Sequence, residues 1–409
     1  MADQLMPDRA PGLNAERVRR DNLGRVLRAL HVAGPLSRSD LVARTTLDRS
    51  TIGGLVEDLA RRGLVSESPG HGGSGSGGPG RPSSVVQARR DGIRVLAIDI
   101  RVDGIAAAIV GLGGHVHGRA DAPSRSGAPS PEAAVETIRP AVRSLLAQAG
   151  GRSVIAAGVS VPGIVSKPDG IVELSLDLGW RRVALVELLA ERLEPDLPVH
   201  LGNEADLAAR AEHLRGAGAG VDDLLYISGS IGGGVVLGGQ ALTSEDGHPG
   251  EVGHLPVNPT GERCACGSYG CWRTEVGLEA LLRRAGRHGG PDGATARLVR
   301  AAGAGDPGIL AALETHGRWL GIGLAGLVNV LGPRRVILGG FLASIFPWTV
   351  DAVLEEIERR ALETARAGLE VVPGALGDDA ALLGAAELAL EPVLADPTLV
   401  SAAEITPSG

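Results

Sequence analysis

The sequence predicts an α/β protein that carries a small, mainly helical domain at its N-terminus. After residue 90, short apolar runs rich in β-branched residues alternate with helix-like stretches, as in "IRVLAIDI" and "PEAAVETIRPAVRSLLAQAG". A Gly-, Ser- and Pro-rich stretch over 69–84 separates these runs from the N-terminal segment. With 409 residues, of which 44% are hydrophobic, the chain is long enough to bury more than one core.

The N-terminal segment has the pattern of three short helices. The first is predicted over 14–32, with apolar residues at helical spacing: Val18, Leu23, Val26, Leu27 and Leu30. Ser37 and, three residues later, Asp40 resemble a capping box that opens a second helix through Arg44. The third is predicted in "TTLDRSTIGGLVEDLARRGLV", where one face is apolar: Ile52, Leu55, Val56 and Leu59.

Two short helices a few residues apart, the second beginning with small polar and basic residues, are typical of a helix-turn-helix. The side chains expected to reach base edges and phosphates are Ser37, Arg38, Arg49, Ser50 and Thr51. Residues 64–68 and 84–87 would pair as a wing, and Arg81 in "PGRP" would suit a narrow minor groove. The alternative is a small helical module for protein contacts with a solvated linker.

Gly53 and Gly54 lie inside the predicted recognition helix, where each costs about 1 kcal/mol of helix stability relative to Ala. Two explanations are open. The glycines permit close approach of the backbone to DNA, or they permit packing against the first helix.

The formal net charge of −8 is unevenly distributed. Residues 1–88 contain 12 Arg against 9 acidic residues, a net charge of +3, and the remainder carries −11. Only the N-terminal segment therefore suits a polyanion such as DNA. The first ten residues contain acids and no apolar run, which argues against a secretory signal, so we expect a cytoplasmic protein in a reducing compartment.

All three cysteines fall within eight residues, at Cys264, Cys266 and Cys271. An odd number of cysteines in a reducing compartment argues against a disulfide framework. Structural zinc takes four Cys or His ligands, and His254 lies ten residues upstream of the first cysteine. The sequence therefore predicts a zinc site, with a redox switch or an iron–sulfur cluster as alternatives for the thiols, although a cluster would normally need a fourth cysteine.

The stretch "GHPGEVGHLPVNPTGERCACGSYGCW" resembles the signature of the ROK family (repressors, open reading frames and sugar kinases). Further matches follow in the family's order: "VSVPGIV", "LGNEADLAARAE", "SGSIGGGVVLGGQAL" and "VNVLGPRRVILGGF". With a winged helix-turn-helix over 1–88, the resemblance covers nearly the whole chain. It implies that 89–409 form a two-lobed, actin-like (ribonuclease-H-like) domain for effector binding and oligomerisation.

The resemblance also implies which residues would contact a sugar between the two lobes. Gly163 would lie beside the sugar, Asn203 and Glu204 would be the hydroxyl-binding pair, and Glu251 and His254 would supply further contacts. Carboxylates and amides suit this role because they satisfy vicinal hydroxyls. His254 would then face the sugar with one ring nitrogen and zinc with the other.

Two departures from the family's kinases concern catalysis. In "DIRVDG", Arg101 and Val102 stand where the kinases have glycines, and Asp103 replaces a threonine, so side chains fill the space where backbone N–H groups would hold phosphate. Glu204 stands at the position of the catalytic base, which is Asp in the kinases. We therefore expect neither ATP binding nor catalysis.

A third departure concerns the sugar. Arg273 stands where the family has a sugar-binding glutamate, and Glu275 two residues further on could approach the cleft. Arg offers donors and no acceptor, so it cannot make the same hydroxyl contact. Either the effector carries an acidic group that pairs with Arg273, or sugar sensing has been lost.

We therefore expect a sugar-responsive transcriptional regulator, a repressor, that binds operator DNA as a homodimer or homotetramer. Ligand in the cleft would change the closure of the lobes and the spacing of two DNA-reading heads. The alternatives are an ATP-dependent sugar kinase of the ROK family and a ROK regulator that no longer senses sugar.

Overall fold

The computed structural model describes residues 11–69, 84–123, 128–150, 154–167, 169–193, 197–244, 250–287 and 293–400. The first six elements form the predicted winged helix-turn-helix, called here the head. They are α1 (Pro11–Ala33), β1 (Leu36–Ser37), α2 (Arg38–Thr45), α3 (Arg49–Arg61), β2 (Val65–Ser68) and β3 (Val85–Ala88). The wing strand β3 pairs antiparallel with both β2 and β1. Arg81 lies outside the described residues.

Local sequence signals explain where the head's helices begin. Ser37 caps α2 by accepting the N–H of Asp40 at 3.1 Å, and the Asp40 carboxylate accepts the N–H of Ser37 at 3.0 Å, which is the predicted capping box. Asp48 caps α3 by accepting the N–H of Thr51 at 2.9 Å. The sequence prediction overlooked this cap.

Two features of the head's packing bear on the sequence prediction. Val18 is 56% exposed, because it lies on the outer face of α1, whereas Leu23, Val26, Leu27 and Leu30 are buried. Gly53 and Gly54 are not needed for packing between helices. A Cβ atom at Gly54 would meet nothing within 4 Å, and one at Gly53 would meet only the Arg38 side chain at 3.6 Å.

The elements of the first lobe are β4 (Arg94–Ile100), β5 (Gly104–Gly111), β6 (Val116–Pro123), α4 (Pro131–Ala149), β7 (Val154–Val161), β8 (Ile164–Ser166), β9 (Ile171–Ser175), β10 (Trp180–Val183), α5 (Leu185–Arg192) and β11 (Val199–Asn203). The lobe is built on a five-stranded sheet in the order β11-β7-β4-β5-β6, in which β4, β5 and β6 are antiparallel and β7 and β11 run parallel to β4. A small antiparallel sheet of β8, β9 and β10 adjoins it.

The elements of the second lobe are α6 (Glu204–Arg215), β12 (Leu224–Ile227), β13 (Gly233–Leu237), β14 (Gln240–Ala241), α7 (Trp272–Val276), α8 (Leu278–Arg284), α9 (Ala294–Gly303), α10 (Pro307–Leu331), β15 (Arg335–Leu338), α11 (Phe341–Arg360), α12 (Glu363–Arg366), β16 (Glu370–Pro373) and α13 (Ala380–Ala395). The strand order is β14-β13-β12-β15-β16, which is the order of the first sheet read from its opposite edge. No short sequence repeat indicates this structural repeat.

No helix of the described ranges has the length and apolar character needed to cross a membrane.

Two helices, α6 and α13, are exchanged between the lobes. α6 follows the last strand of the first sheet but packs on β12 and β13, and α13 follows the last strand of the second sheet but packs on β4 and β7. The two helices also pack against each other. At Gly384 a Cβ atom would lie 2.0 Å from the carbonyl oxygen of Leu207, so the backbones of α13 and α6 are in direct contact there. The predicted two-lobed α/β fold is confirmed.

The head and the first lobe share one hydrophobic core. Leu27 and Leu30 of α1 belong to the same cluster of buried side chains as Leu390 and Leu394 of α13. A Cβ atom at Gly24 would lie 2.8 Å from the carbonyl oxygen of Leu394, which shows how closely the two helices approach. The head is therefore packed against the end of α13.

We expect Gly384→Ala to destabilise the protein. The added methyl group would overlap the carbonyl oxygen of Leu207 and push α6 away from α13, and overpacking of this kind costs about 1–3 kcal/mol. The measurement is the free energy of unfolding in urea. Gly326→Ala is the matched control, because that glycine is exposed inside α10 with open space around it, and the change should add up to about 1 kcal/mol of stability. A Gly384→Ala protein as stable as the wild type would show that α6 and α13 are not in backbone contact.

Candidate functional site

A cavity of about 270 Å³ lies between the two lobes. Its wall is formed by the loops that follow β7, β9 and β12, by the start of α6, by the turn Val252–His254 and by α7. The structure brings together in this wall all the residues that the sequence predicts to contact an effector: Gly163, Asn203, Glu204, Glu251 and His254. The volume is slightly below the usual range for small-molecule pockets, which begins at about 300 Å³.

Asn203 fixes the start of α6 in the cleft wall. Its Oδ1 accepts the backbone N–H groups of Ala205 and Asp206 at 2.8 and 3.1 Å, and its Nδ2 donates to the carbonyl oxygen of Gly163 at 2.8 Å. The side chain thus caps the helix and ties it to the loop after β7.

Glu204 lies in a desolvated, acidic environment. Burial, with the neighbouring Asp99 carboxylate, raises the pKa of Glu204 to about 7, although Ser230 donates a hydrogen bond to its carboxylate at 3.1 Å. Burial likewise raises the pKa of Asp99 to about 6. Asp99 is 1% exposed, and its Oδ1 has no hydrogen-bond partner among the described residues. Ser230 was missed by the sequence reasoning, although it stands in the Gly-rich "SGSIGGG".

The turn between β4 and β5 is the segment in which the sequence predicts side chains in place of phosphate-binding backbone N–H groups. The N–H of Arg101 donates to the carbonyl oxygen of Gly104 at 2.8 Å and closes the turn. Its guanidinium lies 3.5 Å from Asp99 Oδ2 and 3.5 Å from Asp103 Oδ1. The turn is thus held by its own ion pairs.

Arg273 forms an ion pair with Asp177 across the cleft. Arg273 belongs to α7 of the second lobe and Asp177 to the loop after β9 of the first, so the pair joins the lobes at the cavity wall. Asp177 belongs to no motif and the sequence reasoning missed it. Glu275 does not approach the cleft, because it is 8% exposed and accepts hydrogen bonds from Arg284 at 2.6 Å and Asn258 at 2.7 Å.

The three cysteines and His254 converge beside the cleft. Their ligand atoms all lie within 4.8 Å of one another, with 3.7 Å between Cys264 Sγ and His254 Nδ1 and 3.7 Å between Cys266 Sγ and Cys271 Sγ. Positive φ angles at Gly267 (96°) and Gly270 (64°) let the loop fold back on itself. The cluster lies on the wall of the cleft, because Cys266 and His254 also line the cavity.

This donor set fits a tetrahedral metal ion. Ligand atoms about 2.0–2.3 Å from such an ion lie about 3.4–3.8 Å from one another, close to the two separations above. His254 uses Nδ1 toward the cysteines, while its Nε2 lies 3.8 Å from Glu251 Oε2 in the cleft. Burial and the nearby Arg273 charge lower the pKa of His254, which favours the neutral imidazole that a metal requires.

The predicted DNA-contacting arginines differ in their partners. Arg38 makes a two-pronged ion pair with Glu67 of the wing, at 2.8 and 2.9 Å. Arg49, at the start of α3, is exposed and forms no ion pair with any residue that the structure describes.

The predicted DNA-contacting hydroxyls all donate to capping carboxylates. Ser50 and Thr51 donate to Asp48 at 2.6 and 2.7 Å, and Ser37 donates to Asp40 at 2.7 Å. The bonds from Ser50 and Thr51 hold the pKa of Asp48 well below its usual range. An anion therefore stands at the start of α3, beside Arg49.

Comparison with known proteins gives the following matches. A sequence model of the ROK family matches residues 95–392, and a model of the MarR family matches residues 24–72. The chain is 28% identical over 382 residues to the xylose repressor of Bacillus subtilis, which covers 91% of this chain and 96% of that protein. It is 29% identical over 317 residues to the glucokinase of Streptomyces coelicolor, which covers 73% of this chain and 98% of that enzyme.

A solved structure gives the same architecture. The crystal structure of a ROK family transcriptional regulator, a homologue of the E. coli MLC protein, superposes with a TM-score of 0.75 at 24% identity and covers 95% of this chain and 99% of its own. This likeness concerns the fold.

We expect the stability of Glu204→Gln relative to the wild type to depend on pH. The pKa of Glu204 rises from 4.5 to about 7 on folding, so between these values the unfolded chain ionises first and the wild type loses stability as the pH rises. Gln has the same shape and does not ionise. The advantage of Glu204→Gln should therefore grow from pH 4.5 to 7 and then level off at about 3 kcal/mol.

The measurement is the free energy of unfolding of both proteins at several pH values from 5 to 8. Glu279→Gln, a change at an exposed glutamate of α8, is the control and should differ from the wild type by a constant amount. A pH-independent difference for Glu204→Gln would show that its pKa is ordinary.

Proposed function

Because the chain belongs to the ROK family, we propose that it is a transcriptional repressor whose head binds operator DNA and whose interlobe cleft binds a sugar. One observation carries the proposal: a winged helix is packed directly on a two-lobed domain whose cleft is lined by an amide and carboxylates. The relative named a xylose repressor, which aligns over almost its full length, supports the same conclusion.

In this proposal residues 1–88 read DNA and residues 89–409 bind the effector and form a homodimer or homotetramer. Arg49 is the foremost DNA contact, since it is exposed at the start of α3 and has no partner to leave among the described residues. When DNA is bound, Arg38 and the hydroxyls of Ser37, Ser50 and Thr51 would either leave the carboxylates that they contact in the structure or contact these carboxylates and the DNA together. The open space beside Gly54 would let a phosphate backbone approach the helix closely.

The charges in the cleft favour an uncharged sugar. Asp177, Glu204 and Glu251 supply three carboxylates, and Asp177 already neutralises Arg273. An acidic group on the effector would have to displace Asp177 from Arg273 and meet the other carboxylates. Uncharged hydroxyls, in contrast, would donate to carboxylate oxygens of the cleft and accept the second N–H of the Asn203 amide.

We propose that the domain does not phosphorylate the sugar. Arg101 and its ion pairs fill the turn where a phosphate would be held, and Glu204 is one methylene longer than the aspartate of the kinases. The rival function is an ATP-dependent sugar kinase, which one observation favours: a pKa of about 7 is suited to a general base. The third possibility is a DNA-binding regulator that no longer senses sugar.

We propose zinc as the ion of the cluster formed by His254, Cys264, Cys266 and Cys271. Four ligands of this kind close a tetrahedral site, which supplies structural stability rather than reactivity. The ion would fix the ring of His254, whose other nitrogen faces the cleft beside Glu251. A structural metal would thus hold a sugar-reading residue in place.

The purified protein should contain about one zinc ion per chain by elemental analysis. Cys266→Ser should lower the zinc content and the melting temperature, because three ligands hold the ion less tightly than four. Since Cys266 and His254 line the cleft, sugar affinity should fall as well. Ser268→Ala, in the same exposed loop but outside the cluster, is the control and should keep its zinc. Freshly purified wild-type protein without zinc would contradict this assignment.

The repressor proposal is tested by measuring binding to DNA fragments from the protein's own promoter region, with and without a panel of neutral sugars and sugar phosphates. We expect one neutral sugar to release the DNA. Glu251→Gln should weaken that response, because it removes a charged hydroxyl acceptor from the cleft. Arg49→Ala should weaken operator binding by about 10-fold, whereas Arg300→Ala, at an exposed arginine of α9, should not.

Three outcomes would contradict the proposal. Release by sugar phosphates alone would contradict the uncharged effector. Operator binding that no sugar changes would favour the regulator without sugar sensing. Sugar-dependent ADP release that Glu204→Gln abolishes would establish the kinase instead.

A further inference from the structure

The helix α6 connects the cleft with the head. Its N-cap Asn203 and its first residue Glu204 line the cavity, and its last residue Arg215 donates to the backbone carbonyl of His31 in α1 at 3.1 Å. With 12 residues, α6 is about 18 Å long. A single rigid element therefore touches both the effector cleft and the first helix of the head.

The far end of α6 is bound to α1 through a buried glutamate of α13. Glu387 and His31 are each 1% exposed. Arg215 Nη2 lies 2.6 Å from Glu387 Oε1, and His31 Nε2 lies 2.8 Å from Glu387 Oε2. His31 Nδ1 accepts the N–H of Gly113 at 3.0 Å, and His31 Nε2 is also in contact with Arg215 Nη2. We call the set His31–Glu387–Arg215 the buried rung.

A second set of the same kind lies one helical turn further along α13. Glu391 accepts two hydrogen bonds from Arg28 of α1, at 2.6 and 3.1 Å, and also pairs with Arg210 of α6. The Glu391 side chain is 35% exposed, so this set, the outer rung, is closer to solvent. Glu387 and Glu391 are four residues apart and share one face of α13. Each glutamate thus joins α6 to α1.

The cleft end of α6 cannot move independently of its neighbours. A Cβ atom at Gly234 of β13 would lie 2.2 Å from the carbonyl oxygen of Ala205, and one at Gly384 of α13 would lie 2.0 Å from that of Leu207. The first turns of α6 are therefore held between β13 and α13 at backbone contact. A displacement imposed at Glu204 is passed to α13, and along α6 to Arg210 and Arg215.

We propose that the two rungs position the head and couple occupancy of the cleft to DNA affinity. Arg28, His31, Arg210, Arg215, Glu387 and Glu391 are then positioning residues, since none of them lines the cleft or is among the predicted DNA-contacting residues. A sugar that binds Asn203 and Glu204 shifts α6, and the rungs pass this shift to α1. Because α1 and α3 pack in the same core, α3 moves with α1. This inference rests on the proposed function.

The test measures coupling rather than stability. For each protein, the operator dissociation constant is measured with and without the releasing sugar, and the ratio of the two is the coupling factor, usually about 5- to 150-fold in allosteric proteins. Glu391→Gln is the main variant, because its partial exposure lets the protein fold without the charge. We expect its coupling factor to fall about 5-fold or more. The sugar dissociation constant, measured with and without operator, should change by the same factor.

The control is Glu370→Gln, which removes the same charge from an ion pair with Arg335 in the second sheet, away from the rungs. It should leave the coupling factor unchanged. Arg210→Gln should reduce the coupling factor as Glu391→Gln does, and the double variant should be no worse than either, because both changes break the same rung. A purely structural role would lower the melting temperature and leave the coupling factor as in the wild type.

The failure of this inference is distinct from that of the proposed function. An unchanged coupling factor in Glu391→Gln and in a folded Glu387→Gln overturns the rungs as the connection and leaves the sugar-responsive repressor standing. A wild-type protein whose operator binding no sugar alters overturns both.

Discussion

Two helices in backbone contact hold this molecule together. α6 and α13 lie side by side between the sheets, and each packs on the sheet of the lobe that it does not follow in sequence. The contact requires glycine, because a Cβ atom at Gly384 would lie 2.0 Å from the carbonyl oxygen of Leu207 in α6. α13 approaches the first sheet as closely, since a Cβ atom at Gly158 of β7 would lie 1.9 Å from the carbonyl oxygen of Ala385. The lobes cannot slide without moving both helices. The cleft at the start of α6 and the head on the end of α13 are therefore connected through the same pair of helices.

The cleft combines desolvated carboxylates with a neutralised arginine. Burial favours the protonated form of Glu204 near neutral pH, and Asp177 balances the charge of Arg273, so few net charges face an incoming molecule. Such a site suits neutral polyols, whose hydroxyls both donate and accept. The same features are part of the proposal that the domain does not transfer a phosphoryl group, a reaction that needs positive charge and backbone N–H groups around the phosphates. In the proposed function, an ion held by the three cysteines and His254 would stiffen one wall of this site.

Patterns that are local in sequence predicted much of the molecule. The capping box at Ser37, the strand and helix periodicity and the convergence of three cysteines with His254 each depend on neighbouring residues, and the structure has them in place. What could not be predicted depends on long-range pairing. Asp177 meets Arg273 from another lobe, Glu387 meets His31 356 positions away, and Val18 lies on a face that only the packing defines. Glu275 does not reach the cleft, because Arg284 and Asn258 already donate hydrogen bonds to its carboxylate.

The shared core of the head and α13 has a consequence for synthesis. Leu30 of α1 is made about 360 residues before Leu390, and at about 5–20 residues per second the ribosome needs roughly 20 to 70 s to cover that distance. During this time α1 exposes the part of its apolar face that α13 later covers. The head is thus translated long before α13, the helix that completes its core, and its packing is finished only when α13 has been made.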